Sequence, residues 1–166
     1  MSKSQAGTPT TDRIEVLLID DEPDFAEMAG TFLEQAEDAI AVRVRTDPGR
    51  AAADIETGAF DAVLADFRMP GRDGLALLRD VREWDPAIPY FLFTAHGSEA
   101  LASKAISAGA TDYFIKDTGT DQYPEIAAQI RRTVEQRRSE RTAGDSVFQA
   151  VFEGLRNGLL VVDADL

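Results

Sequence analysis

Short, almost wholly apolar runs alternate along this chain with longer segments whose apolar positions recur every three or four residues. IEVLLID (14–20), DAVLAD (61–66), PYFLFTA (89–95) and DYFIK (112–116) read as strands, and AIAVRVRT (39–46) alternates like a strand with one exposed face. Between them, PDFAEMAGTFLEQAE (23–37) sets Phe25, Met28, Ala29, Phe32 and Leu33 at helical spacing. DPGRAAADIETG (47–58) predicts an Ala-rich helix ended by Gly58, and SEALASKAISAG (98–109) one ended by Gly109. DGLALLRDVREW (73–84) predicts a helix stopped by Asp85-Pro86. A last helical pattern opens at Tyr123-Pro124 and runs to about Arg141, with Ile126, Ile130 and Val134 on one stripe. Strands alternating with helices predict a doubly wound α/β fold with a five-stranded parallel sheet and helices on both faces. Strands apolar along their whole length agree with burial on both sides.

Open α/β sheets bind their ligands outside the carboxyl ends of the strands, where strand order reverses. The first strand ends in Asp20-Asp21, the third in Asp66, the fourth in Thr94 and the fifth in Lys116. Three carboxylates on one edge repel each other and call for a cation between them. Oxygen ligands without His or Cys favour Mg²⁺. A carboxylate beside such an ion can attack a phosphoryl group and form an acyl phosphate, with Lys116 neutralising the oxygens and Thr94 hydrogen-bonding one of them. Pro70 and Gly71 shape the loop after Asp66, and the backbone carbonyl of Arg68 is placed to offer one more hard ligand. Taken singly, each residue has an ordinary reading. The Asp20-Asp21 pair before Pro23 suits a helix cap, Thr94 a strand, Lys116 a solvated strand end, and His96 a solvated loop.

Composition narrows the setting. There are no cysteines, so disulfides and thiolate chemistry are excluded. The N-terminal MSKSQAGTPTTDR lacks the apolar core of a signal peptide, and no apolar run approaches a membrane span, so a cytoplasmic protein without membrane attachment is expected. With 17 Lys+Arg against 30 Asp+Glu the net charge is −13, which opposes direct nucleic-acid binding. Only Lys3, Lys104 and Lys116 are lysines. Acid-rich, Lys-poor and Ala-rich composition resembles proteins of halophilic archaea, whose molar salt cuts the Debye length to about 3 Å.

The stretch from about Ile14 to Arg138 resembles the receiver domain of two-component response regulators. LLIDDEPD, LADFRMPGRDG, FLFTA and DYFIK carry the resemblance. It implies a flavodoxin-like (βα)5 fold, with Mg²⁺ held by Asp20, Asp21, Asp66 and the Arg68 carbonyl. It also implies that Asp66 accepts a phosphoryl group from a histidine kinase or histidine phosphotransfer domain. Thr94 and Lys116 then sense the phosphoryl group, and Tyr113 rotates as a switch. The sequence departs from the family pattern at Asp117, where a proline usually follows the lysine, so a looser loop is expected there.

The expected organisation is a polar lead-in over 1–12, the receiver over 13–138, a charged linker over 139–146, and a second segment over 147–166. That last segment reads as a short amphipathic helix, an Asn-Gly turn and an apolar strand. It resembles the opening of a PAS sensor domain, cut before such a core could close. The extended last helix suits dimerisation or a linker. The parent protein is therefore expected to be a receiver–PAS protein with a histidine kinase or a transcriptional regulatory output, the kinase being preferred because no DNA-binding segment follows the receiver directly. The receiver itself is a phosphoacceptor rather than a turnover enzyme. Two other functions compete: a phosphorylation-silent dimerisation module, and a Mg²⁺-dependent phosphohydrolase. The second lacks an acid–base carboxylate two residues after Asp66, where Arg68 stands.

Overall fold

The computed structural model describes residues 13–156. Five strands alternate with five helices: β1 Ile14–Ile19, α1 Pro23–Ala36, β2 Ile40–Arg45, α2 Pro48–Glu56, β3 Ala62–Ala65, α3 Gly74–Trp84, β4 Tyr90–Thr94, α4 Glu99–Ser107, β5 Asp112–Ile115 and α5 Gln122–Arg156. All strand pairs are parallel, in the order β2-β1-β3-β4-β5. From β1 the chain steps outward to β2, then back across to β3, so order reverses between β1 and β3. Their carboxyl ends carry Asp20, Asp21 and Asp66, which sets the acidic residues at the switch point.

Burial varies with position in the sheet. β3 and β4 are buried along their whole length, as their unbroken apolar sequence requires. The edge strands are only partly covered: β2 is half-exposed beyond Ala41, and Ile115 of β5 is 52% exposed. The expectation of burial on both faces therefore fails for DYFIK, which is an edge strand among the described residues. Helix ends obey local chemistry. Asp47, Asp73 and Ser98 each accept a backbone N–H of the first turn of α2, α3 and α4.

The last helix differs from its predicted extent. It does not stop near Arg141 but continues through the charged 139–146 segment to Arg156. The run is rich in Arg, Glu, Gln and Ala, and Gly144 and Gly154 each cost only about 1 kcal/mol of helix propensity. Within α5 the contacts divide between Arg132 and Thr133, the first compact unit ending there. The lead-in over 1–12 and the Asn-Gly turn and apolar strand expected near the C-terminus lie outside the described residues. Among the described residues, no helix is long and apolar enough to cross a membrane.

Candidate functional site

The peptide after each central strand stays bound to the neighbouring strand, and this places the acidic side chains. Asp20 N–H donates to the Arg45 carbonyl at 3.0 Å, and Asp66 N–H to the Ile19 carbonyl at 2.8 Å. Both side chains then point off the sheet edge yet stay covered, Asp20 at 1% and Asp66 at 8% exposure. Asp21 is more open. Each of the three offers a carboxylate oxygen, and these oxygens lie within 4.8 Å of one another. Asp20 and Asp21 do not cap α1, whose N-cap is Glu22 without a side-chain bond. Instead Asp20 Oδ1 accepts the Glu22 N–H at 2.9 Å, which fixes the carboxylate and leaves Oδ2 for the site.

Lys116 reaches the same oxygens from the end of β5. Its backbone N–H donates to the Thr94 carbonyl at 2.8 Å, continuing the β4–β5 ladder. Its Nζ lies 2.6 Å from Asp20 Oδ2 and 3.5 Å from Asp66 Oδ1, with only 11% of the side chain exposed. Burial pushes the Asp66 carboxyl above its ordinary value near 3.8; Lys116 pulls it back, Asp20 pushes it up again, and the Phe67 backbone N–H lowers it. The net direction is upward, so ionised Asp66 is disfavoured in the fold relative to the unfolded chain. That cost is fully present above the raised pKa and vanishes below the unfolded value. In chelator, Asp66→Asn is therefore expected to raise the melting temperature near neutral pH. The gain should shrink as the pH falls toward 3.8. Thermal melts of both proteins across that range check it, and a gain independent of pH would contradict the electrostatic cause.

The other expected residues surround this cluster. Thr94 is 1% exposed, and its Oγ1 accepts the His96 N–H at 3.2 Å, so His96 is an exposed loop residue whose backbone braces the threonine. Arg68 is exposed in the loop after β3. Tyr113 lies partly buried on β5, and its hydroxyl donates to the Ser98 carbonyl at 3.4 Å. The loop after Lys116, expected to be looser, is tied to α5, because Gln122 Nε2 donates to the Asp117 carbonyl at 2.9 Å and to the Gly119 carbonyl at 3.4 Å.

Two glycines belong to the site although the sequence pattern does not single them out. A Cβ on Gly74 would stand 2.4 Å from the Asp66 carbonyl oxygen and 2.8 Å from Leu92 Cδ2. A Cβ on Gly97 would stand 2.2 Å from the Tyr113 hydroxyl. The only local signal for Gly74 is Asp-Gly before a helix, which reads equally well as an ordinary cap.

The switch point of a doubly wound parallel sheet thus gathers three carboxylates, a lysine and a buried threonine. The chain belongs to the response regulator receiver domain family, whose model matches residues 16–129. It is 36% identical over 139 residues to the C4-dicarboxylate transport transcriptional regulatory protein DctD of Rhizobium meliloti, covering 82% of this chain and 30% of that one. It is 34% identical over 113 residues to the transcriptional regulatory protein ZraR of Escherichia coli, covering 68% of this chain and 25% of that one. The chain thus spans less than a third of the length of these relatives. A response regulator receiver domain protein from Methanospirillum hungatei shares the fold at TM-score 0.68 and 21% identity, over 77% of this chain and 98% of that one. The protein is accordingly the receiver domain of a two-component response regulator, a signalling domain.

Proposed function

We propose that Asp66 is the phosphoacceptor, taking its phosphoryl group from the phosphohistidine of a histidine kinase or histidine phosphotransfer domain. The observation that carries this is the meeting of Asp20, Asp21 and Asp66 with the Lys116 ammonium at the switch-point edge. An Asp66 carboxylate oxygen attacks phosphorus; the O–P bond forms as the P–N bond to the imidazole breaks, and the electron pair leaves with the nitrogen. Lys116 pairs with the phosphoryl oxygens, and the buried Thr94 hydroxyl donates to one of them.

The donor set is entirely oxygen and tightly gathered, and one ammonium leaves its three carboxylates with net negative charge, so it fits Mg²⁺. Asp20, Asp21, Asp66 and the Arg68 carbonyl would hold the ion, which supplies positive charge for the carboxylates and the incoming phosphoryl oxygens. Rotation of Tyr113 away from Ser98 would then report the added charge on the face formed by α4, β5 and α5.

The named relatives are transcriptional regulators, which favours transcriptional control over a histidine kinase as the output of the parent protein. With a charge of −13, DNA contact would fall to a segment other than this one. The 35-residue α5 supports a helical connection to an output segment, or pairing with a second copy. Acid-rich, Lys-poor composition supports a high-salt setting.

The test is intact mass after incubation with Mg²⁺ and acetyl phosphate in high salt. Wild type should gain a single phosphoryl adduct and Asp66→Asn none. Absence of an adduct on folded wild type would favour a silent interaction module, and steady phosphate release with turnover a phosphohydrolase.

A further inference from the structure

The Lys116 ammonium touches more than carboxylates. It stands 4.3 Å from the centroid of the Phe25 ring and 5.9 Å from that of Phe93, in addition to its contacts with Asp20 and Asp66. Phe25 sits in the first turn of α1, which Pro23 opens, and is half-buried where its helix neighbours Ala26, Ala29 and Leu33 are fully covered. Its sequence spacing suggests a plain core position; its place in the fold is the wall of the site. The ring is braced from behind: Phe25 lies 5.8 Å from Phe93, Phe93 meets Tyr123 edge-on at 6.2 Å, and Tyr123 stacks on Phe32 at 5.3 Å. A half-buried aromatic in the helix after the acidic pair therefore faces a cation across the site, on a rigid shelf.

We infer that Phe25 is a positioning residue that keeps Lys116 aimed at Asp66 during phosphoryl transfer, through contact between its ring face and the ammonium. This rests on the phosphoacceptor role of Asp66. The shortest partner of Lys116 is Asp20 Oδ2 at 2.6 Å, on a carboxylate that also belongs to the cation-binding set. A cation taken up there competes with the ammonium for the same carboxylate. With 11% of its side chain exposed, the lysine then has little water to turn to. The Phe25 ring is an attraction that such competition leaves in place, and ring–cation contact strengthens as water is excluded. It holds the ammonium in the site while leaving it free to turn toward new phosphoryl oxygens, which a second carboxylate would not.

The experiment measures the rate of adduct formation against acetyl phosphate concentration in Mg²⁺, together with the NMR resonances of the Lys116 ε-methylene protons. In wild type the ring should shift those protons upfield. Phe25→Leu should lose the upfield shift and form the adduct about tenfold more slowly at saturating acetyl phosphate. Phe25→Tyr, which keeps the ring, should stay near wild type in both. Pentafluorophenylalanine at position 25 keeps the shape while withdrawing charge from the ring face, so it should slow the reaction without unfolding the protein, whatever Phe25→Leu does to stability. In a Lys116→Met background, Phe25→Leu should slow the adduct no further. A wild-type rate with the fluorinated ring, an equal slowing in the Lys116→Met background, or Lys116 protons unmoved by Phe25→Leu would each overturn the inference. A wild-type protein that forms no adduct overturns the phosphoacceptor reading instead, and that arm does not involve Phe25.

Discussion

Replacing Gly74 with alanine is expected to cost about 3 kcal/mol of folding free energy, at the upper end of what overpacking produces. The backbone torsion at Gly74 is ordinary, and alanine would gain up to about 1 kcal/mol in helix propensity there. Space opposes it. The added Cβ falls 2.4 Å from the Asp66 carbonyl oxygen and 2.8 Å from Leu92 Cδ2, and the nearer of these atoms is backbone. Neither α3 nor the loop can easily retreat. Gly74 N–H donates to the Phe67 carbonyl at 2.8 Å, and its carbonyl accepts the hydroxyl of the fully buried Tyr90 at 2.8 Å. Relief must come from moving the Asp66 backbone, which displaces its carboxylate from the cluster, so adduct formation should slow as well. Gly71 supplies the contrast. It has φ +84° but open space where a Cβ would go, so Gly71→Ala should cost only about 1 kcal/mol of torsional strain. Urea denaturation of the two variants, with unchanged m-values, separates these effects. Equal losses at the two positions would show that the close approach to Asp66 is not decisive.

The second large effect concerns the cation. Asp20→Asn is expected to weaken Mg²⁺ binding on the order of 100-fold, because it removes a full charge from a covered position where water screens poorly. Lys116→Met should act in the opposite direction, tightening Mg²⁺ binding by about tenfold, since the ammonium repels the ion and occupies Asp20 Oδ2 at 2.6 Å. Isothermal titration calorimetry on the metal-free proteins reads both. The opposed signs are the sensitive part of the test. If both variants weakened binding alike, Lys116 would be stabilising the site rather than competing for it.

The strands were legible because a parallel sheet covered on both faces demands nearly continuous apolar runs, and IEVLLI (broken only at Glu15), AVLA and YFLFT supply them. Once those runs are aligned in parallel, the residues that end them must share an edge. Asp20, Asp21, Asp66, Thr94 and Lys116 can therefore be gathered into one site from the strand ends alone. The ends of α5 were less legible. Arg, Glu and Gln suit a helix and a solvated linker equally, and only the continuous helix to Arg156 separates the two.

By itself, then, the sequence determined the strand alternation, the parallel sheet and the set of chemical groups at its carboxyl edge, because each depends on local period and on where a strand stops. Tertiary structure alone decided which neighbours those groups meet. Gly74 is required by the approach of the Asp66 backbone, and Phe25 of the first helix stands against Lys116 at the end of the last strand. Such requirements leave no periodic trace, because they arise from distances between atoms that the fold, rather than the order of residues, brings together.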